Sequence, residues 1–144
     1  MSRQVKRVFL DTGYLIALEA SDDQHHDDAI RHWSTSLAEI SSIVTTTYVF
    51  DEVVTFFNSR DHHRKAVDIG ERLLKSPRVE VVHITEELFR DGWSRFQNRP
   101  DKRYSLTDCL SFVVMERRQL KEALAFDQHF RQAGYRTLPV QRET

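Results

Sequence analysis

The sequence predicts an α/β fold, a three-layer α/β/α sandwich around a mainly parallel sheet of four or five strands. Short apolar runs alternate along the chain with longer segments whose apolar residues recur at helical spacing. Strands separated by helices form parallel sheets, because a parallel connection needs a long crossover. A length of 144 residues without a repeat or linker corresponds to about one domain, which we expect to span residues 1–144.

The first part of the chain predicts two strands separated by two helices. Residues 8–10 form a short apolar run, typical of a strand that is buried on both faces of a parallel sheet. A helix begins near Tyr14 and is followed by a polar loop over residues 21–28. Apolar residues then recur at helical spacing through residues 29–41, and the β-branched run 43–46 predicts the second strand.

The middle of the chain continues this alternation. Residues 48–58 and 66–74 predict two helices, and residues 79–84 predict the third strand. Thr85 is the expected N-cap of the next helix, because a threonine hydroxyl accepts hydrogen bonds from the first turn. We expect the buried stripe of that helix to consist of Phe89, Trp93 and Phe96.

The last part of the chain opens with a polar, basic loop over residues 98–104. A helix is predicted over residues 105–118, and the fourth strand over residues 123–126. A short helix then ends near Gly134, and residues 136–140 predict an edge strand, where a proline is tolerated.

Composition excludes several classes of protein. No run approaches the ~18 apolar residues that identify a membrane helix, so we expect no membrane association. Asp11 interrupts the first apolar run, which argues against a secretory signal. Cys109 is the single cysteine, so a reducing cytoplasm is the expected location. The net charge of −1 does not indicate a nonspecific nucleic-acid binder.

Four acidic residues stand where the predicted fold would bring them together. Asp11 and Asp127 each follow an apolar strand, so both should lie at the carboxyl edge of the sheet, where open α/β sheets bind ligands. Asp108 stands at the start of a helix that precedes a strand, and Glu52 lies on the helix after the second strand. The sequence therefore predicts an acidic pocket at this edge.

Each acid also has a purely structural interpretation. Asp11 and Asp127 are both placed to cap the helices that follow them. Asp108 is placed to form a capping box with Ser105. Glu52 is a helical glutamate of the kind that is usually solvated, and the adjacent Asp51 competes for any role given to it.

Convergence of these acids would have an electrostatic consequence. Two carboxylates about 4 Å apart repel by roughly 4 kcal/mol at an effective dielectric of 20. A cluster would therefore raise its own pKa values or bind a cation. Oxygen ligands select hard ions such as Mg²⁺ or Mn²⁺, and such an ion can promote hydrolysis of a phosphodiester. The acids thus predict a metal-dependent phosphodiesterase.

Four segments in order along the chain carry a family resemblance. They are VFLDTGYLIAL with Asp11, TTTYVFDEVV with Glu52, YSLTDCLSFVVM with Asp108, and LAFDQHFRQAGY with Asp127. Together they resemble the PIN-domain ribonucleases, and especially the VapC-like toxins of VapBC toxin–antitoxin pairs.

The resemblance implies a Mg²⁺- or Mn²⁺-dependent endoribonuclease that cleaves RNA. Asp11 and Asp108 would be the principal metal ligands, and Glu52 would bind the metal or orient the attacking water. Asp127 would contribute through water or to a second metal, and the hydroxyl of Thr12 would line the site. The family likeness also implies a cognate antitoxin and a homodimer. A catalytically weak RNA-binding or scaffold protein, and an RNA-processing nuclease that is not a toxin, remain alternatives.

The path of the RNA is less defined by the sequence. Without the four acids the formal charge of −1 becomes +3, which is consistent with a mildly basic rim. Arg103 lies in the basic loop before Asp108, and His129 is close enough to Asp127 to contact a phosphate. We expect Tyr104 and Cys109 to pack in the interior. The pairs His25-His26 and His62-His63 are interpreted as surface residues.

Overall fold

The computed structural model describes residues 6–141, so residues 1–5 and 142–144 of the predicted domain lie outside it. Within the described residues, five strands form one parallel sheet in the order β3-β2-β1-β4-β5. The strands are β1 (Lys6–Leu10), β2 (Ile40–Thr46), β3 (Val79–Val82), β4 (Glu122–Leu124) and β5 (Arg136–Leu138). The predicted parallel sheet is confirmed, with five strands.

Seven α-helices connect these strands in the described part of the chain. The helices are α1 (Thr12–Glu19), α2 (His26–Ser36), α3 (Thr47–Asn58), α4 (His63–Lys75), α5 (Glu86–Asn98), α6 (Leu106–Arg117) and α7 (Gln128–Gln132). Among the residues described, no helix combines the length and the apolar character needed to cross a bilayer.

The helices form the two outer layers of the sandwich. The chain moves from β1 through β2 to β3 in one direction, then returns past β1 to β4 and β5. Because such crossovers are right-handed, α1 to α4 cover one face and α5 to α7 cover the other. Successive side chains of β1 point to opposite faces of the sheet. Leu10 faces Leu15 of α1 and Ile69 of α4, whereas Phe9 packs against Phe130 of α7. The predicted three-layer architecture is confirmed.

Several predicted boundaries differ from the structure. The helix predicted over residues 29–41 ends at Ser36, a 3-10 turn covers Leu37–Glu39, and Ile40 begins β2. The apolar spacing runs on through Ile40, which pairs with Lys6 of β1 instead of continuing the helix. The third, fourth and fifth strands end at Val82, Leu124 and Leu138, earlier than their apolar patterns suggest.

The buried stripe predicted for α5 is wrong. Phe89, Trp93 and Phe96 are 37%, 45% and 39% exposed, and the fully buried residue of α5 is Gly92. A Cβ at Gly92 would lie 2.5 Å from Cδ2 of Leu110, so α5 and α6 approach closely at this glycine. The packed face of α5 therefore runs through Gly92, one residue away from the aromatic stripe, and the aromatic rings remain on the surface.

Candidate active site

The candidate site lies where β1 and β4 end. Asp11 follows β1, and its N–H donates a 3.0 Å hydrogen bond to the carbonyl of Leu124, the last residue of β4. Asp127 follows β4 three residues later, and Asp108 comes from the first turn of α6. The sheet therefore ties together two strand ends that each carry an aspartate, as the sequence predicts.

The closest cluster joins Asp108, Asp127 and His129. One ligand atom from each of these three residues lies within 4.8 Å of the others. His129 Nδ1 lies 2.9 Å from Asp108 Oδ2 and 3.3 Å from Asp127 Oδ2. Two carboxylates from distant parts of the chain thus meet at one imidazole.

Local capping holds two of these carboxylates in place. Ser105 Oγ accepts from the Asp108 N–H, and Asp108 Oδ2 accepts from the Ser105 N–H, which completes a capping box at the start of α6. Asp127 caps α7, because its Oδ1 accepts from the His129 N–H at 2.9 Å. Both capping interpretations are confirmed, and each cap restricts an aspartate that also belongs to the cluster.

Asp11 is different, because its carboxylate makes no capping hydrogen bond although it stands at the N-cap of α1. Its exposure is 5%. Burial, with the negative charges of Asp108 and Asp127 adding to it, raises the pKa of Asp11 to about 8, against the opposing effect of the backbone amides of Thr12 and Gly13. Asp11 therefore occupies the N-cap position of α1, but its side chain makes no capping hydrogen bond of the kind that the capping interpretation requires.

The pKa of Asp108 is also raised, chiefly because the side chain is buried. The Ser105 amide and His129 oppose this shift, and the charge of Asp127 adds to it. Buried carboxylates that lie close together are therefore costly to ionise, and a bound cation reduces that cost.

Glu52 contacts Thr12, the residue that follows Asp11. The Thr12 hydroxyl donates a 2.7 Å hydrogen bond to Glu52 Oε1, although the two residues are 40 positions apart in sequence. Asp51 accepts instead from Thr55 on its own helix, at 3.4 Å. The structure thus links Glu52, and not Asp51, to the residue that follows Asp11.

The basic loop before Asp108 contacts the cluster through Tyr104. Arg103 is exposed and adopts a left-handed backbone conformation, with φ of 54°. Tyr104 is buried and packs edge-on against Phe112 and His129, and Cys109 is buried in α6, as predicted for both. The RNA-contacting role predicted for Arg103 remains a prediction.

Two histidines differ from their interpretation as surface residues. His25 is half-buried, with its ring stacked 4.3 Å from the ring of Phe126. His26 Nδ1 lies 2.7 Å from the carbonyl oxygen of Ala17. Both residues therefore help to join the start of α2 to its neighbours, whereas His62 and His63 are exposed as predicted.

The contact between His129 and Asp108 is the feature that sequence reasoning missed. It joins α7 to α6 across 21 positions, and no local spacing reveals such a contact. The sequence does indicate part of this arrangement. Asp127 is the N-cap of α7 and His129 is two residues later, so His129 is expected near the carboxylate of Asp127.

The donor set fits a divalent cation. The group formed by Asp108, Asp127 and His129 presents oxygen and nitrogen donors with the spacing of a single ion's ligands, and Asp11 lies near enough to interact electrostatically with both aspartates. Two of these acids, Asp11 and Asp108, are buried, whereas Asp127 is partly exposed. Buried carboxylates are stable only when they are protonated, paired with a positive charge or neutralised by an ion.

Similarity to known proteins extends over nearly the whole chain. Residues 8–134 match the PIN domain family. The chain belongs to the PIN domain family. It is 33% identical over 128 residues to the 23S rRNA-specific endonuclease VapC20 of Mycobacterium tuberculosis, in the strains CDC 1551 / Oshkosh and H37Rv. That match covers 89% of this chain and 95% of VapC20.

Solved structures agree with this assignment. The crystal structure of M. tuberculosis VapC20, a sarcin-ricin loop cleaving toxin, matches this PIN domain with a TM-score of 0.81 and 31% identity, covering 89% of this chain and 95% of that one. A toxin–antitoxin complex from Klebsiella pneumoniae shares the fold, with a TM-score of 0.58 and 15% identity over 94% and 96% of the two chains. The predicted family, fold and VapC-type endoribonuclease activity are thereby confirmed.

The raised pKa of Asp11 predicts how acidity affects the stability of the metal-free PIN domain. Folded Asp11 holds its proton up to about pH 8, whereas the unfolded chain releases it near pH 4. The free energy of unfolding therefore decreases as the pH rises between these two values. Asp11→Asn should therefore stabilise the EDTA-treated protein at pH 8 by a few kcal/mol, and flatten the fall in stability between pH 5 and pH 8. Urea unfolding at several pH values measures this.

Asp51→Asn is the matched control, because it removes the same charge from an exposed position. It should leave both the stability and its pH dependence close to those of the unmodified protein. Equal behaviour of the two variants would contradict the electrostatic interpretation of Asp11.

Proposed function

We propose that this PIN domain is a Mg²⁺- or Mn²⁺-dependent endoribonuclease toxin that cleaves a structured RNA. The observation that supports the cofactor is the meeting of Asp108, Asp127 and His129 within 4.8 Å, beside the buried Asp11. A surface that only bound RNA would gain nothing from buried carboxylates, which repel both one another and the phosphates of the ligand. The geometry therefore favours catalysis over the scaffold alternative.

Asp11 and Asp108 are assigned as the principal metal ligands, with Asp127 beside them. A divalent ion held there would supply a low-pKa water and positive charge for the phosphodiester during displacement. Asp11 supplies a carboxylate that needs a cation in order to ionise, because burial and the charges of its neighbours raise its pKa to about 8. The capping bonds of Asp108 and Asp127 fix where these two side chains present their oxygens.

Glu52 is assigned to orient or deprotonate the attacking water. It is exposed, so it retains access to solvent, and the Thr12 hydroxyl holds its Oε1 at 2.7 Å. Thr12 therefore positions Glu52. Because Thr12 is next to Asp11, we also expect its side chain to contact the substrate. A general base has to be held within hydrogen-bond reach of its water, and the bond from Thr12 restricts where Glu52 can lie.

A ribosomal RNA stem-loop is the proposed substrate class. The relative with 33% identity is a 23S rRNA-specific endonuclease, and the similar crystal structure is that of a sarcin-ricin loop cleaving toxin. The loop of residues 99–103 adds Arg99, Lys102 and Arg103 next to the segment that carries Asp108, and Arg103 is exposed. In this proposal Lys102 and Arg103 contact phosphates of the RNA, whereas Arg99 also pairs with Asp101. Such a substrate would place the enzyme in the cytoplasm.

Cleavage of RNA should depend on the metal and on the individual acids. In the presence of Mn²⁺ or Mg²⁺ the protein should cleave a labelled sarcin-ricin stem-loop, and EDTA should stop the reaction. Asp11→Asn and Asp108→Asn should each reduce kcat by about 100-fold or more, since each removes charge that acts on the transition state. Glu52→Gln should reduce kcat by about 10- to 100-fold.

Asp51→Asn again serves as the matched control, because it alters the residue next to Glu52 and should retain full activity. Cleavage that survives EDTA, or that Asp11→Asn and Asp108→Asn both leave intact, would overturn the proposed function. Growth arrest on expression, relieved by Asp108→Asn and by the cognate antitoxin, would separate a toxin from an RNA-processing nuclease.

A homodimer is also proposed, formed through the exposed aromatic face of α5. Trp93 and Phe96 stack with ring centroids 5.5 Å apart, and Phe89 lies beside them on the surface. Exposed aromatic patches of this kind are typical of protein interfaces. Glu86, Glu87 and Arg95 of α5 already form ion pairs within the chain, so the proposal rests on the exposed aromatic rings.

Trp93→Glu should shift this dimer to monomer, weakening association by about tenfold or more, because it places a charge in the apolar centre of the interface. Sedimentation at several concentrations measures the change. Leu74→Glu is the control, since Leu74 is an exposed apolar residue of α4 and its substitution should not alter association. A monomeric unmodified protein, or a dimer that Trp93→Glu leaves unchanged, would contradict the assignment of this surface.

A further inference from the structure

His129 is held firmly against the acidic cluster. Its backbone N–H donates to Asp127 Oδ1 at 2.9 Å, and its ring lies edge-on to Tyr104 with centroids 5.5 Å apart. Its Nδ1 is directed at two carboxylates, 2.9 Å from Asp108 Oδ2 and 3.3 Å from Asp127 Oδ2. The imidazole is therefore fixed by its helix cap and by an aromatic neighbour, with one nitrogen facing the site.

These distances match those between neighbouring ligands of one ion. Ligands at adjacent corners of an octahedron lie about 3 Å apart when each bond is about 2.1 Å long. The separations of 2.9 Å and 3.3 Å are close to this value for both carboxylates. A hydrogen bond to Asp108 explains the first distance, and the joint approach of Nδ1 to two separate carboxylates also fits a three-donor site.

We propose that His129 Nδ1 is a direct ligand of the divalent ion, alongside Asp108 and Asp127, and that it makes the site favour Mn²⁺ over Mg²⁺. This inference rests on the proposed function and deepens its account of the metal. Imidazole nitrogen suits transition metals, whereas Mg²⁺ prefers oxygen ligands and retains its waters. The nitrogen ligand therefore adds affinity for Mn²⁺ and little for Mg²⁺.

This role agrees with the earlier prediction that His129 contacts substrate. A neutral imidazole that binds an ion through Nδ1 carries its proton on Nε2. That N–H remains a donor for a phosphate oxygen of RNA. One side chain would then contact both the ion and the backbone of the substrate.

The test uses the full chain stripped of metal and loaded with Mn²⁺. Pulsed electron paramagnetic resonance should detect a ¹⁴N coupling from a directly bound imidazole, and His129→Asn should abolish it. By titration calorimetry, His129→Asn should weaken Mn²⁺ binding about tenfold or more and alter Mg²⁺ binding by less than about threefold. Asparagine retains an N–H donor for Asp108, so a role limited to hydrogen bonding would survive this substitution.

His83→Asn is the matched control, because His83 is exposed and lies after β3, and it should keep both the coupling and the affinities. Absence of a ¹⁴N coupling in the Mn²⁺-loaded protein, failure to bind Mn²⁺, or equal loss of Mn²⁺ and Mg²⁺ affinity in His129→Asn would overturn the inference. Should the variant not fold, the spectrum of the unmodified protein still decides.

The outcome is separable from that of the proposed function. RNA cleavage that requires Asp108, without a nitrogen coupling, would retain the nuclease and reject His129 as a ligand. A nitrogen coupling in a protein that cleaves no RNA would retain the ligand and reject the nuclease.

Discussion

The burial of the Asp11 carboxylate next to two other acids is the constraint on which the site depends. Asp11 follows the central strand of the sheet and is almost fully buried, and the charges of Asp108 and Asp127 add to the cost of ionising it. The order of the strands reverses beside β1, and ligands of open α/β sheets bind at such a switch point, outside the carboxyl ends of the strands. The fold thus brings acidic side chains to this edge of the sheet, where ionising the buried Asp11 is costly without a cation.

Structural and functional interpretations of the same residue are compatible in this site. Asp108 completes a capping box and Asp127 caps α7, and each bond stabilises the start of a helix while it also fixes a carboxylate. Asp11 gains no such bond, and its burial raises the free energy needed to ionise it. Glu52 is fixed from outside its helix by Thr12, which connects the two parts of the site through one hydroxyl.

Much of the fold and of the candidate site follows from local sequence patterns. Asp11 and Asp127 could be placed at one edge because apolar strands precede them, and parallel strands share a carboxyl edge. The aromatic residues of α5 could not be placed, because Gly92, one residue away from their stripe, allows the closest approach to Leu110 and determines the packed face. The meeting of His129 with Asp108 depends on how α7 sits against α6, which no spacing within either helix encodes.

The most direct test of this account is the number of protons that the metal-free protein releases when it binds Mn²⁺ at pH 7. Calorimetry in buffers of different ionisation enthalpy measures this number. Asp11, with its pKa raised to about 8, carries a proton at that pH and must lose it to become a ligand. The account predicts release of about one proton per ion bound, and loss of this release in Asp11→Asn. Binding of Mn²⁺ without proton release would contradict the claim that the buried acids are held neutral until a cation joins them.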